Sequence, residues 1–152
     1  MTTQVETVAH EHEALAEHVD ELRSIARELP SLTPERRAER RDTVVAFVND
    51  VLVPHARREE RGLYRQAARV LGHPEATAPM VYDHLAVREW TAELAETDPA
   101  DLDRLQELLY GLRALIVEHF RKEEELYQPL VERLEAQGEL IEYEAPALRH
   151  EP

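Results

Sequence analysis

The chain has 152 residues, with 18 Lys and Arg against 32 Asp and Glu, a net charge of −14. So acidic a chain repels nucleic acid and anionic lipid, and neither is expected as a partner. There is no Cys, which excludes disulfides, iron–sulfur clusters and thiolate zinc sites, so any metal must be held by imidazole nitrogen and carboxylate oxygen.

The length suits one domain with a real core. Scarce Gly with abundant Ala, Leu, Glu and Arg favours an all-helical chain. No apolar run reaches a membrane span. The opening "MTTQVETVAHEHEAL" has neither the basic nor the apolar region of a secretion signal. A cytoplasmic location is expected.

Four helices are expected in chain order. The first runs from Thr3 to Leu29, with an inward seam of Val5, Val8, His12, Leu15, Val19, Leu22, Ile25 and Leu29. "LPSLTPE" breaks it, with Thr33 as N-cap and Pro34 at the first helical position. The second runs from Pro34 to Val70, with seam Val44, Val48, Val51, His55, Glu59, Leu63 and Val70, and a bend at Pro54. "LGHPEATAP" ends it. The third runs from Pro79 to Glu96, with seam Val81, His84, Val87 and Leu94, and Trp90 in the core. The fourth runs from Pro99 to Ala136, with seam Leu105, Leu108, Leu112, Leu115, His119, Glu123, Leu126, Leu130 and Leu134. These make an all-α, antiparallel up-down-up-down four-helix bundle over residues 1–137, followed by an acidic tail over 138–152.

The chain repeats itself. "VLVPHARREERGLY" (Val51 to Tyr64) and "LIVEHFRKEEELY" (Leu115 to Tyr127) share an apolar run, His-x-x-x-Glu-Glu and Leu-Tyr, with Gly62 as one extra residue. "EHEALAEHVDEL" (Glu11 to Leu22) lies more faintly over "DHLAVREWTAEL" (Asp83 to Leu94), aligning His12 with His84. Four residues are about 1.1 helical turns, so a His and the Glu four later share one face.

His12, His55, Glu59, His84, His119 and Glu123 therefore occupy inward positions. A single His on an apolar face is ordinarily a hydrogen-bonded core residue. Two buried carboxylates with four imidazoles are different, because each buried charge costs several kcal/mol unless compensated. No Lys or Arg lies on the seam. Two borderline cations of the Fe, Mn or Zn type would supply the charge, with both Glu bridging and a coordination position left open. His10, His18, His73 and His150 fall off the inward face, in a turn or in the tail. Tyr64 and Tyr127 should lie near the site. The runs "PERRAERRD" and "HARREER" mix both signs and read as solvated faces.

These residues resemble the hemerythrin-like, HHE cation-binding domain over about Met1 to Gln137. The resemblance implies a four-helix bundle around a non-haem di-iron centre, oxo- or hydroxo-bridged. His12, His55, Glu59, His84, His119 and Glu123 would be its ligands and a diatomic molecule or peroxide its partner. Oxygen-carrying members have a further His four residues after the third-helix one. Here that position is Arg88, which cannot ligate. That argues against reversible oxygen storage and for the four-His branches. Peroxide consumption of a catalase or peroxidase kind, response to oxygen or nitric oxide, and iron sensing are proposed for those. Ferritin-like sites need Glu-x-x-His, and no Glu here has a His three residues later.

Overall fold

A computed structural model describes residues 3–136, and the expected tail lies outside the described residues. Those residues form helices and turns, with no strand among them. Helix α1 (Gln4–Glu28) is the first rod. Helices α2 (Pro34–Phe47), α3 (Val53–Arg61) and α4 (Leu63–Leu71) make the second. Helix α5 (Ala78–Glu96) is the third, and α6 (Leu102–Lys122) with α7 (Gln128–Ala136) the fourth. None is long and apolar enough to cross a membrane.

Local chemistry sets the ends. Thr3 and Glu6 form a reciprocal capping box at the start of α1. Thr33 Oγ1 accepts from Arg36 N–H, with Pro34 behind it, as expected. Asp101 caps α6 through Arg104 N–H. The second rod stops at Gly72, whose φ of 75° is open to glycine at little cost.

Both rods that carry His-x-x-x-Glu contain a turn of π-helix, over Val48–Leu52 and Glu123–Tyr127. Each lies just ahead of a proline, Pro54 and Pro129. Proline has no N–H and crowds the carbonyl four residues back. The wider turn absorbs this, with Val53 N–H reaching Val48 O and Gln128 N–H reaching Glu123 O. The expected disturbance at Pro54 thus takes the form of a register shift.

That shift explains where the expected seams miss. After Val48 the inward residue is Leu52, and Val51 is exposed. After Glu123 the inward residues are Gln128 and Val131, so Leu126 is 58 % exposed and Leu130 only half-buried. Gly62 divides the expected single second helix into α3 and α4. Other corrections are smaller. Ala26 is buried where Ile25 was expected, Ile116 where Leu115 was, and Met80 where Val81 was. Val70 is exposed near the rod's end. Trp90 faces outward, because neighbouring Thr91 takes the buried position.

The buried apolar residues fall into two clusters. The larger includes Leu15, Val19, Leu22, Val48, Leu52, Leu94, Leu105, Leu112 and Ile116. The smaller comprises Val5, Val8, Leu63, Tyr64, Ala67, Met80 and Val131. On every rod the expected site residues lie between them: His12 between Val8 and Leu15, His55 and Glu59 between Leu52 and Leu63, His84 between Met80 and Leu94, and His119 and Glu123 between Ile116 and Val131. A polar layer thus sits between two apolar ends that keep water from it. Polar ties join the rods at Gln4–Glu135, His12–Glu124, Asp20–Arg113 and Ala26–Gln106. Others join them at Glu11–Arg58, Glu28–Arg40, Thr97–Arg41, Asp83–Lys122 and Glu93–Arg104.

Candidate metal centre

The structure brings all six expected residues together, and all six are buried. His55 Nε2 lies 2.7 Å from Glu59 Oε1, and His119 Nε2 lies 2.7 Å from Glu123 Oε1. His12 Nε2 is 3.1 Å from Glu59 Oε1 and 3.8 Å from Glu123 Oε1. His84 Nε2 is 3.3 Å from Glu59 Oε2 and 2.9 Å from His119 Nε2. Two groups of donor atoms result. One is His12, His55 and Glu59, and the other is Glu59, His84, His119 and Glu123. Glu59 belongs to both.

The opposite ring nitrogens decide what these donors are. Each Nδ1 meets a carboxylate on a neighbouring rod: His55 meets Glu11 at 2.6 Å and His119 meets Asp83 at 2.9 Å. His84 meets Glu60 at 2.8 Å and His12 meets Glu124 at 3.2 Å. An ionised carboxylate only accepts, so each Nδ1 carries the proton and donates it. In the neutral ring, Nε2 is then left with a bare lone pair. Four such lone pairs converge on two carboxylates, and two of them face each other 2.9 Å apart. Lone pairs repel at that distance unless positive charge lies between them.

Glu11, Glu60, Asp83 and Glu124 were not singled out from the sequence, although a signal existed. An acid directly precedes each lone His, as "EH" and "DH", and a second Glu follows each motif Glu. Two of the four acids have cationic anchors. Arg58 is 3.2 Å from Glu11, and Lys122 is 2.5 Å from Asp83. Each anchor directly precedes the motif Glu.

Several of the close pairs are not hydrogen bonds. His55 Nε2, Glu59 Oε2 and both oxygens of Glu123 are buried with no hydrogen-bond partner among the described residues. The atoms are near one another yet aimed at a shared space. Unpaired buried charge of this kind is costly. Imidazole and carboxylate with separations near 3 Å are the donors and spacings expected around ions with bonds of about 2.0–2.2 Å. The residues present therefore fit a metal.

The electrostatics agree. Burial opposes the charge on Glu59, but the His12, His55 and His84 rings beside it hold it well below the usual carboxylate range. Burial pushes Glu123 up, and the adjacent Glu59 charge pushes it further, against the His119 hydrogen bond. Burial opposes protonation of His55 and His84. The carboxylates, Glu59 foremost, outweigh it and raise both rings. Asp83 is lowered against burial by Lys122 and His119. The cluster draws protons around an ionised Glu59, and a cation would compete for the same atoms.

Tyr64 is buried with its hydroxyl 3.0 Å from His119 Nε2 and 3.2 Å from His84 Nε2, inside the second donor group. Burial and the nearby Glu123 and Glu59 hold its phenol above its ordinary range. Tyr127 is half-buried, and its hydroxyl turns away to Ala76 O. His10, His18 and His73 are exposed, as expected, and His150 lies outside the described residues. A cavity of about 90 Å³ reaches His55, Glu59, His84 and His119, with walls of Leu52, Val87, Ile116 and Phe120. Arg88 lines it and forms no ion pair among the described residues.

Compared with known families, residues 3–131 match the hemerythrin HHE cation binding domain. The chain belongs to that family. No curated protein and no solved structure matches it.

Proposed function

We propose that the cluster holds two iron ions and that the protein binds or reduces a small oxidant: oxygen, hydrogen peroxide or nitric oxide. The observation that carries this reading is the convergence of four histidine Nε2 atoms on two buried carboxylates, three of whose four oxygens have no hydrogen-bond partner among the described residues. His12 and His55 would hold one ion, His84 and His119 the other, with Glu59 and Glu123 between them. Bound iron supplies one-electron redox chemistry and open coordination for a diatomic or peroxide ligand; manganese or zinc could occupy the same donors. Glu11, Glu60, Asp83 and Glu124 fix the tautomer and aim of the four rings. Tyr64 offers a phenolic oxygen to the second group, a donor that Arg88 cannot supply.

The rods follow an antiparallel up-down-up-down course in this reading. Ties between the first and fourth support it, because partners climb from Gln4 to Ala26 on one as they fall from Glu135 to Gln106 on the other. The same inversion holds for Glu11–Arg58 with Glu28–Arg40, and for Asp83–Lys122 with Glu93–Arg104.

A second reading makes the chain an iron- or oxygen-sensing module without turnover. Buried, uncompensated carboxylates favour it, since they tie folding to metal occupancy. Iron-loaded protein given hydrogen peroxide separates the two. Many peroxides consumed per site, with charge-transfer bands that respond to peroxide, are expected of the first reading. A metal-dependent change in stability or assembly without turnover would replace it with the second.

A further inference from the structure

The route into the centre carries a charge pattern of its own. An outer groove of about 470 Å³ between the second and third rods is lined by Asn49, Pro54, Leu85 and Glu89. It shares Val53, Arg57 and Arg88 with the inner cavity that reaches the histidines. The two arginines therefore stand where groove meets cavity, on opposite rods. Neither forms an ion pair among the described residues, in a chain where Asp and Glu outnumber Lys and Arg by 32 to 18. Of the acids that line the two spaces, Glu60 is engaged by His84 Nδ1 at 2.8 Å, Glu59 faces His55 Nε2 at 2.7 Å, and Glu89 lines the outer groove without pairing with either arginine. A third cleft, between the first and fourth rods, touches His12. Its arginines are occupied, Arg113 by Asp20 and Arg121 by Glu118 and Glu125. Unengaged positive charge thus marks one of the two approaches.

We propose that Arg57 and Arg88 form a selective entrance, and that the ligand it favours is a small inorganic monoanion of two or three heavy atoms, such as nitrite. The proposal rests on the metal-centre reading and goes beyond its neutral oxidants to an anionic ligand. Behind the arginines Leu52, Val87, Ile116 and Phe120 wall the cavity, and apolar walls strengthen a nearby charge's field, while its acids, Glu59 and Glu60, face the histidines. A cavity near 90 Å³ is well below the roughly 300–1,000 Å³ of sites for larger organic ligands. Arginines of this kind act on encounter, so their effect lies in the association rate and its salt dependence.

Stopped-flow binding to the iron-loaded protein tests this, with azide as the anionic probe and nitric oxide as a neutral one of similar size. The Arg57→Gln/Arg88→Gln double variant should bind azide about tenfold more slowly at low salt, with its salt dependence flattened. Its nitric oxide rate should stay within about twofold of wild type, since no charge is steered. The Arg57→Lys/Arg88→Lys variant should keep the wild-type azide rate. An unchanged azide rate in the Gln variant, or equal slowing of both ligands, overturns the entrance alone. Wild-type protein that takes up no iron, or iron-loaded protein that azide does not perturb, overturns the metal-centre reading with it.

Discussion

From His to the second Glu, the stretches His55–Glu60 and His119–Glu124 do the same things. In each, His Nε2 and Glu Oε1 lie 2.7 Å apart. In each, Nδ1 donates to an acid on the preceding rod, and the basic residue before the Glu pins that acid. The second Glu then reaches a histidine on another rod. Beyond that point they part. Gly62 restarts the second rod so that Leu63 and Tyr64 turn inward, whereas the π turn on the fourth rod carries Leu126 outward. Repeated donors thus build an unequal cluster, in which Glu59 serves both donor groups, Glu123 serves one, and a single tyrosine enters.

The largest contrast should come from the two glutamates. Glu59→Ala should abolish binding of both ions, while Glu123→Ala should retain one on His12, His55 and Glu59; metal per chain by elemental analysis reads this directly. Equal losses would remove the asymmetry. Next come the leucines. Leu63→Ala empties a fully buried position and should cost about 2–5 kcal/mol in urea unfolding. Leu126→Ala should stay within about 0.5 kcal/mol. The outer acids follow. Glu11→Gln or Asp83→Asn should weaken metal binding by about 10–100-fold in competition with a chelator. Glu60→Gln and Glu124→Gln should weaken it less, because those acids have no cationic anchor among the described residues. The smallest change in binding should come from the tyrosines. Tyr64→Phe should remove a phenolate-to-iron absorption band that Tyr127→Phe leaves intact, and a band lost in both or neither would put the two stretches back on equal terms.

Much of this was legible in the chain because helical geometry is periodic. A His and a Glu four apart must share a face, and matching apolar runs showed which face was inward. All six candidate ligands were found that way. Leu126 and Leu130 fall off the expected seam because a π turn breaks the period, and its signal, a proline a few residues later, looks like an ordinary kink, whereas Leu134 is buried as expected. The carboxylates behind the rings carry little sequence signal, because acids on helices are common and their partners lie on other rods. Tyr64 and Tyr127 hold matching places in the two repeats, and the restart of the helix at Gly62 turns Tyr64 alone into the cluster.

The central claim is that these inward donors require cations, and metal-linked stability tests it most directly. Chelated protein should unfold at a lower temperature than the same sample given ferrous iron, and the midpoint should keep rising with metal concentration as ligand linkage demands. His119→Ala and Glu123→Ala should blunt that rise. A midpoint that iron, manganese and zinc all leave unmoved, in protein shown to be folded, would contradict the account.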